Sequence, residues 1–520
     1  MKVHTPVILT IICMIGHASA SDWPQLQHDA ARTGRTTDEL APPYRLRWFW
    51  QGFSHVVRNR LSNTSWSGPD FNQHDIITVK APDVPSATDF TLAAPMQPIV
   101  AGGTVFIGDQ EGKVYAIRAD DGGEVWTAEN SGGTMASGAF ADGIVVFVSL
   151  RGDIRAFNAA TGAAVWEART GGPITAAPLI AQGKVVAASH DRHVYCHTLA
   201  TGARLWRSVD LGGQIAGGIA SDGEAVYCVT ESMRACKINL RDGSLAASLK
   251  INGQSHYLQH PVVFNGKVYI VTNPIPAIGS EGTGEGVAPD LIAAATSVDD
   301  EQDRWLDFMR GQGGYADASP DWKFFFALKT SDMTEAFQVP NGVYEGCGTP
   351  PEPPVVDNSG RVLTYWRTKW NYFARDCGWG CQGNTQIDIS AINQSTGRRI
   401  IIDNGRHDDE WYTWESDNLY AMSVAGNYLF LHQDYRGTVC ISLAESRGHR
   451  IWSNAIETAT SWNNIDAIYT TGYDDNPPNP PPDYPETPTN SIDGRAAPVV
   501  SGPYLFIRES WGCICMEKIP

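Results

Sequence analysis

Positive charge is scarce in this sequence: 39 Lys and Arg stand against 57 Asp and Glu, a formal net charge of −18. That deficit argues against nucleic acid as a partner, because such binding is driven by cationic groups that neutralise phosphates. Long apolar runs are equally scarce beyond the first twenty residues, so no later segment is expected to span a membrane. Cys-x-x-Cys-His does not occur, which argues against covalently attached haem. Vicinal cysteines are missing as well, since Ile514 separates Cys513 from Cys515.

What is present begins with MKVHTPVILTIICMIGHASA: one lysine, an apolar stretch from Val7 to Ile15, and Ala18-Ser19-Ala20 ahead of Ser21 and Asp22. This pattern predicts a cleavable signal peptide over residues 1–20 and a periplasmic or secreted mature protein over 21–520. Cys13 follows Ile12, where a lipid-attachment site needs a small residue, so lipidation is not expected. In an oxidising compartment some of the remaining cysteines are expected to pair. Cys228 and Cys236 flank a hairpin turn, a spacing equally consistent with a cross-strand disulfide and with two buried thiols. Cys377-Gly-Trp-Gly-Cys381 closes a small loop, where a disulfide is expected rather than zinc, because no further ligands stand nearby.

The organising feature is a repeat. Trp126, Trp166 and Trp206 recur at a spacing of 40 residues, each four positions after a glycine, Gly122, Gly162 or Gly202. Each unit reads as four short strands separated by Gly, Asp and Asn turns, and four strands in about 40 residues make a propeller blade. The phase continues through Gly243 with Ala247, Ala327 with Phe337, Gly397 with Ile401, and Gly448 with Trp452, which makes seven blades. RAAPVVSGPYLFIRESWGCICMEKIP supplies three further strands, and YRLRWFWQ (Tyr44 to Gln51) reads as an outer strand with no blade of its own. Joining the two predicts an all-β, eight-bladed β-propeller closed by an N-terminal strand, with seven blades as the alternative.

The A-x-x-x-x-TG-x-x-x-W pattern resembles the PQQ-like (pyrroloquinoline-quinone-type) β-propeller repeat family. DWPQLQHDAARTG resembles the opening segment of its secreted members. In such repeats a tryptophan like Trp166 serves the architecture, filling the gap between sheets and giving its N–H a backbone acceptor. The resemblance covers nearly all of the mature chain and implies the fold. For function it implies several outcomes, among them quinoprotein dehydrogenases and the propeller subunit of the outer-membrane β-barrel assembly machinery. A dehydrogenase would hold PQQ and Ca²⁺ on the ring axis with a carboxylate base and stacking groups. The vicinal cysteines of many such enzymes are missing here, and no Glu-Asn-Asp set can be matched by motif.

Departures from the repeat fall on one face. If each blade runs from inner strand A to outer strand D, then B–C turns and D–A links emerge together. The expected insertions are B–C at 273–322 in blade five and 369–385 in blade six, and D–A between blades six and seven, seven and eight, and eight and one. SVDDEQDRWLDFMRG, within the first, predicts a helix with Ser297 as N-cap and Trp305, Phe308 and Met309 available for packing, lying over the propeller as a lid. His407, Asp408, Asp409, Glu410, Trp411, Trp414 and Glu415 crowd carboxylates beside aromatics, a mixture suited to cations, sugars or basic peptides. No regular Ca²⁺-loop spacing is present there. Residues 474–490 form a proline-rich spacer. The leading expectation is therefore a non-catalytic, monomeric platform for a protein or glycan, with no cofactor. The alternative is a PQQ- and Ca-dependent dehydrogenase of an alcohol or sugar.

Overall fold

Alternating apolar residues between glycine turns fold as short antiparallel strands, and the first complete unit shows the pattern. Ile99–Ala101, Thr104–Gly108, Lys113–Arg118 and Glu124–Glu129 pair in that order as strands A to D. Strands A to C are buried on both faces because neighbouring blades cover them, whereas D alternates. In the computed structural model the described residues are 22–42, 44–50, 56–58, 75–77, 92–93, 95–251, 256, 259–272, 296–309, 324–340, 352–368, 386–403, 419–433, 437–444, 449–453, 468–472, 496–509 and 512–518. They form eight blades.

The inner strands of blades two to eight are Ala139–Ala141, Leu179–Ala181, Ala220–Ser221, Val262–Phe264, Val355–Val356, Leu419–Ala425 and Val499–Ser501. The apolar core is not one mass. It is divided into layers, one between each pair of adjacent blades, such as the Trp126, Phe147 and Phe157 layer between blades one and two. Blade eight takes its outer strand, Tyr44–Trp50, from near the start of the chain and pairs it antiparallel to Gly512–Lys518. Glu517 bridges Arg45 and Arg47 across that pair.

Three layers, between blades one and two, two and three, and three and four, are fastened by an indole reaching the next blade. Trp126 Nε1 donates to Ala159 O at 2.8 Å, Trp166 to Leu199 O at 2.6 Å and Trp206 to Leu240 O at 3.0 Å. Gly162, Gly202 and Gly243 hold positive φ, and a Cβ on any of them would fall within 2.7 Å of the preceding indole. Glycine is therefore required twice over, by conformation and by space. Trp48 does the same for blade eight: its Nε1 donates to Ala119 O at 3.0 Å, and its ring lies against Gly122. Trp452 pairs through its backbone with Cys440 in blade seven.

Two differences from expectation concern the rim, and the thiols show one of the two arrangements expected of them. The links on either side of blade eight contain strands: Ile468–Gly472 adds outside blade seven, Asp75–Ile77 pairs with it, and Val56–Arg58 adds outside blade eight. The cause is the free edge of an outer strand, whose unpaired N–H and C=O groups accept any extended stretch within reach. The helix Val298–Met309 forms with Ser297 Oγ accepting from Asp300 N at 3.1 Å, but it is not a lid over the ring. It docks at the rim of blade six, where the Gln302 amide pairs with both N–H and C=O of Arg399, and Asp299 and Asp303 meet Arg398. An unpaired strand edge and an arginine drew it there. Cys228 and Cys236 are free, buried thiols directly opposite each other in blade four. Cys377 and Cys381 lie outside the described residues.

Candidate functional site

One end of the ring is closed by the chain itself. Residues 23–38 visit the inner strands in order: Trp23 exchanges two backbone hydrogen bonds with Val100, Pro24 O accepts from Phe140, and the Gln25 side chain pairs with Ile180. Ala30 O then accepts from Ser221, Ala31 O from Val263, Thr33 O from Val356, Gly34 O from Val424, and the Asp38 carboxylate from Gly502. All eight inner edges receive a partner this way, which satisfies backbone groups that would otherwise be stranded in the bore.

The segment needs unusual conformations to follow so tight a path. Gln27, His28, Arg32 and Gly34 all have positive φ. Arg32 is fully buried and holds the coil: Nε donates to Ile219 O, Nη1 to Leu26 O and Nη2 to Pro178 O at 2.7–3.0 Å. Gln97 ties the coil to the blades, accepting from Trp23 Nε1 and Gln27 N, and donating to Ala497 O.

Above this floor the described residues line a funnel-shaped pocket in the bore, with a cavity volume of about 50 Å³. Leu26 and Gln27 line the bottom, and each blade contributes the residues that lead into its inner strand, among them Ala136, Ala177, Gly218 and Ala497. Their small size keeps the bore wide. Because they precede strand A, the mouth lies at the D–A end, where the B–C turns also emerge.

The wall carries several polar side chains among its small apolar ones. Gln27, Ser137, Thr175, Gln259, His260 and Glu352 line it, with His256 buried behind. Gly217 and Gly218 make room for the two imidazoles, since a Cβ on either would lie within 2.6 Å of His256 or His260. Burial pushes the His256 pKa down to about 3, and burial together with Arg32 and His256 holds His260 well below the ordinary histidine value. Both rings are therefore neutral near pH 7. Gln27 Oε1 and His260 Nε2 have no hydrogen-bond partner among the described residues.

The chemistry can be compared with a quinone cofactor and its calcium. Among the described residues the funnel wall presents no arginine, lysine or indole, and the arginine beneath it has its donors engaged. The described residues contain no cluster of three or more His, Cys, Asp or Glu able to hold a metal. The described wall therefore does not fit an anionic planar quinone stacked on an aromatic.

The expected ligand residues His407, Asp408, Asp409, Glu410, Trp411, Trp414 and Glu415 lie outside the described residues. The described chain stops at Arg399–Asp403, the outer strand of blade six, and resumes at Leu419–Ala425, the inner strand of blade seven. Gln27, Arg32, Gln97, His256 and His260 were not anticipated. The only sequence signal was the DWPQLQHDAARTG segment, which contains Gln27 and Arg32.

Fold and site together define an eight-bladed propeller with one end sealed by its N-terminal segment and, among the described residues, a pocket in the bore above it. The chain is similar to the PQQ-like repeat β-propellers: residues 110–274 match the family model for the outer membrane protein assembly factor BamB. The fold is similar to that of quinohemoprotein alcohol dehydrogenase from Comamonas testosteroni, with a TM-score of 0.53 at 12% identity over 95% of this chain and 80% of that one. BamB from Moraxella catarrhalis aligns at 12% identity and a TM-score of 0.46, over 84% of this chain and 97% of that one. No curated protein sequence matches.

Proposed function

We propose that this protein is a non-catalytic, extracytoplasmic platform that captures a protein or glycan partner at the open end of its ring and works as a monomer without a cofactor. The observation that carries the reading is the polarity of the ring. The N-terminal segment closes one end, while the connections that follow Val271, Thr368, Asp403 and Ser453 all leave from strand ends at the other. Long connections converging on one end of a rigid scaffold are the usual construction of a binding surface. Their composition supports the same reading, with acids beside aromatics in the link that contains Trp411 and Trp414, in a chain of net charge −18. The funnel adds hydrogen-bond acceptors and small apolar walls.

The test is capture by an immobilised panel of neutral glycans, cationic glycans and basic peptides. Trp411→Ala with Trp414→Ala should abolish capture while the far-UV circular dichroism stays that of the wild type. Unchanged capture by the double variant sinks the assignment to this link. The dehydrogenase alternative has a separate readout: PQQ and Ca²⁺ added to the protein should give no dye-linked oxidation of alcohols or sugars, and turnover would overturn the non-catalytic reading.

A further inference from the structure

Blade four carries a pair of thiols that nothing in the platform reading uses. Cys228 lies on Ala225–Val229 and Cys236 on Arg234–Asn239, and the register sets them directly opposite one another. Thr230 N donates to Arg234 O at one end of this pairing and Leu240 N to Glu224 O at the other. Both bonded pairs stand an even number of residues from Cys228 and Cys236, which places the cysteines at a hydrogen-bonded position, where opposed Cα atoms lie about 5.5 Å apart. That separation falls within the range a disulfide spans, about 4.4–6.8 Å. Both side chains enter the layer between blades three and four beside Trp206, Ile219 and Ile238.

We propose that Cys228 and Cys236 are an oxidation site, which a disulfide-bearing oxidant converts into a cross-strand disulfide stapling the central hairpin of blade four. The step balances in two exchanges. The Cys236 thiolate attacks one sulfur of the oxidant, forming a mixed disulfide and releasing the first half of the oxidant as a thiol. Cys228 then gives up its proton and attacks Cys236 Sγ, so the intramolecular S–S bond forms and the second half leaves as a thiol. The two cysteines lose two electrons, and the oxidant gains them.

The order of attack follows from the contact between the sulfurs. The Cys228 thiol donates to Cys236, which favours ionisation of Cys236 together with the nearby Arg234, while burial and that same bond hold Cys228 in its protonated form. Both residues are fully buried, so the exchange belongs to the folding chain, before blade three covers the pair. Cys196 sits in the same apolar layer, on the blade-three side, and serves as an internal control.

The experiment folds the reduced, full-length chain in oxidised and reduced glutathione, alkylates it under denaturing conditions without reduction, and digests it with trypsin. Cleavage after Arg207, Arg234 and Lys237 separates the two cysteines onto different peptides. The expected product is the peptide 208–234 joined to Ala235-Cys236-Lys237, released by reduction, with Cys196 recovered in alkylated form. Recovery of Cys228 and Cys236 as alkylated thiols overturns the proposal, and so does a linkage of either to Cys196. A second readout is the urea midpoint of the oxidised protein, which should fall on reduction in the wild type. In the Cys228→Ala/Cys236→Ala variant the part of that fall due to this staple should vanish. An identical fall in both proteins also overturns it.

Discussion

Trp48→Ala should loosen the closing strand of blade eight from blade one. The indole is fully buried, donates to Ala119 O at 3.0 Å, and packs near Phe506 with ring centroids 6.0 Å apart. Truncating a buried tryptophan to alanine costs about 3–5 kcal/mol through lost transfer energy and the cavity left behind. The orphaned Ala119 carbonyl, left with a long contact to Cys515 Sγ at 3.8 Å, adds about 1 kcal/mol. With a urea slope of roughly 3 kcal/mol per molar, the midpoint should fall by about 1–2 M. The comparison that isolates the closing strand is Trp166→Ala, whose indole makes the equivalent bond to Leu199 O but is only half-buried. Urea unfolding followed by circular dichroism should rank Trp48→Ala clearly below Trp166→Ala. In the first variant, trypsin should also cut at Arg45 or Arg47 before any other site, because the closing strand detaches. If Trp48→Ala unfolds at or above the midpoint of Trp166→Ala, the assignment of Trp48 as the closing residue is wrong.

Gly122→Ala meets the Trp48 ring at 2.8 Å and holds φ at +70°, whereas Gly103→Ala at φ +74° meets nothing within 4 Å. Thermal denaturation should show Gly103→Ala losing about 1–2 kcal/mol from conformation alone and Gly122→Ala losing more; equal losses would mean that contact with the indole is not what requires glycine. Arg32→Met leaves the carbonyls of Leu26, Pro178 and Ile219 without their donor, so limited proteolysis within residues 22–42 should accelerate at least tenfold, and an unchanged rate would show that Arg32 does not hold the segment. His256, whose pKa burial lowers to about 3, is neutral in the folded chain and takes up a proton on unfolding below about pH 6.5. Its stabilisation is therefore complete above that pH and is lost as pH falls toward 3, by about 2 kcal/mol at pH 5. Urea midpoints measured from pH 7 to pH 4.5 should fall less steeply for His256→Asn than for the wild type.

The blades were legible because their requirement repeats. An indole and the glycine it covers recur every 40 residues, and a periodic demand leaves a periodic trace. Closure by Tyr44–Trp50 was legible from an unfinished last blade. The role of Trp48 within that strand was hidden, since its glycine, Gly122, lies in blade one rather than at the usual interval. The coil of residues 23–38 left almost no trace, because most of its contacts are single backbone bonds that almost any side chain permits. Ser297 announced the helix, but nothing in the sequence tied Gln302 to Arg399. The histidines lie just before an inner strand and are accommodated by two glycines more than thirty residues earlier, a pairing visible only once neighbouring blades are in place.

Arg45 and Glu517 meet although 472 positions separate them along the chain. The strand of Arg45 must wait, unpaired, until its partner strand 472 positions later has been synthesised. Residues 23–38 cannot finish their circuit until the eighth inner strand exists. Ring assembly thus works as a check on progress: a chain that has not reached the eighth blade leaves Tyr44–Trp50 and its sealing coil without partners, and only when that blade exists can both be withdrawn from proteases.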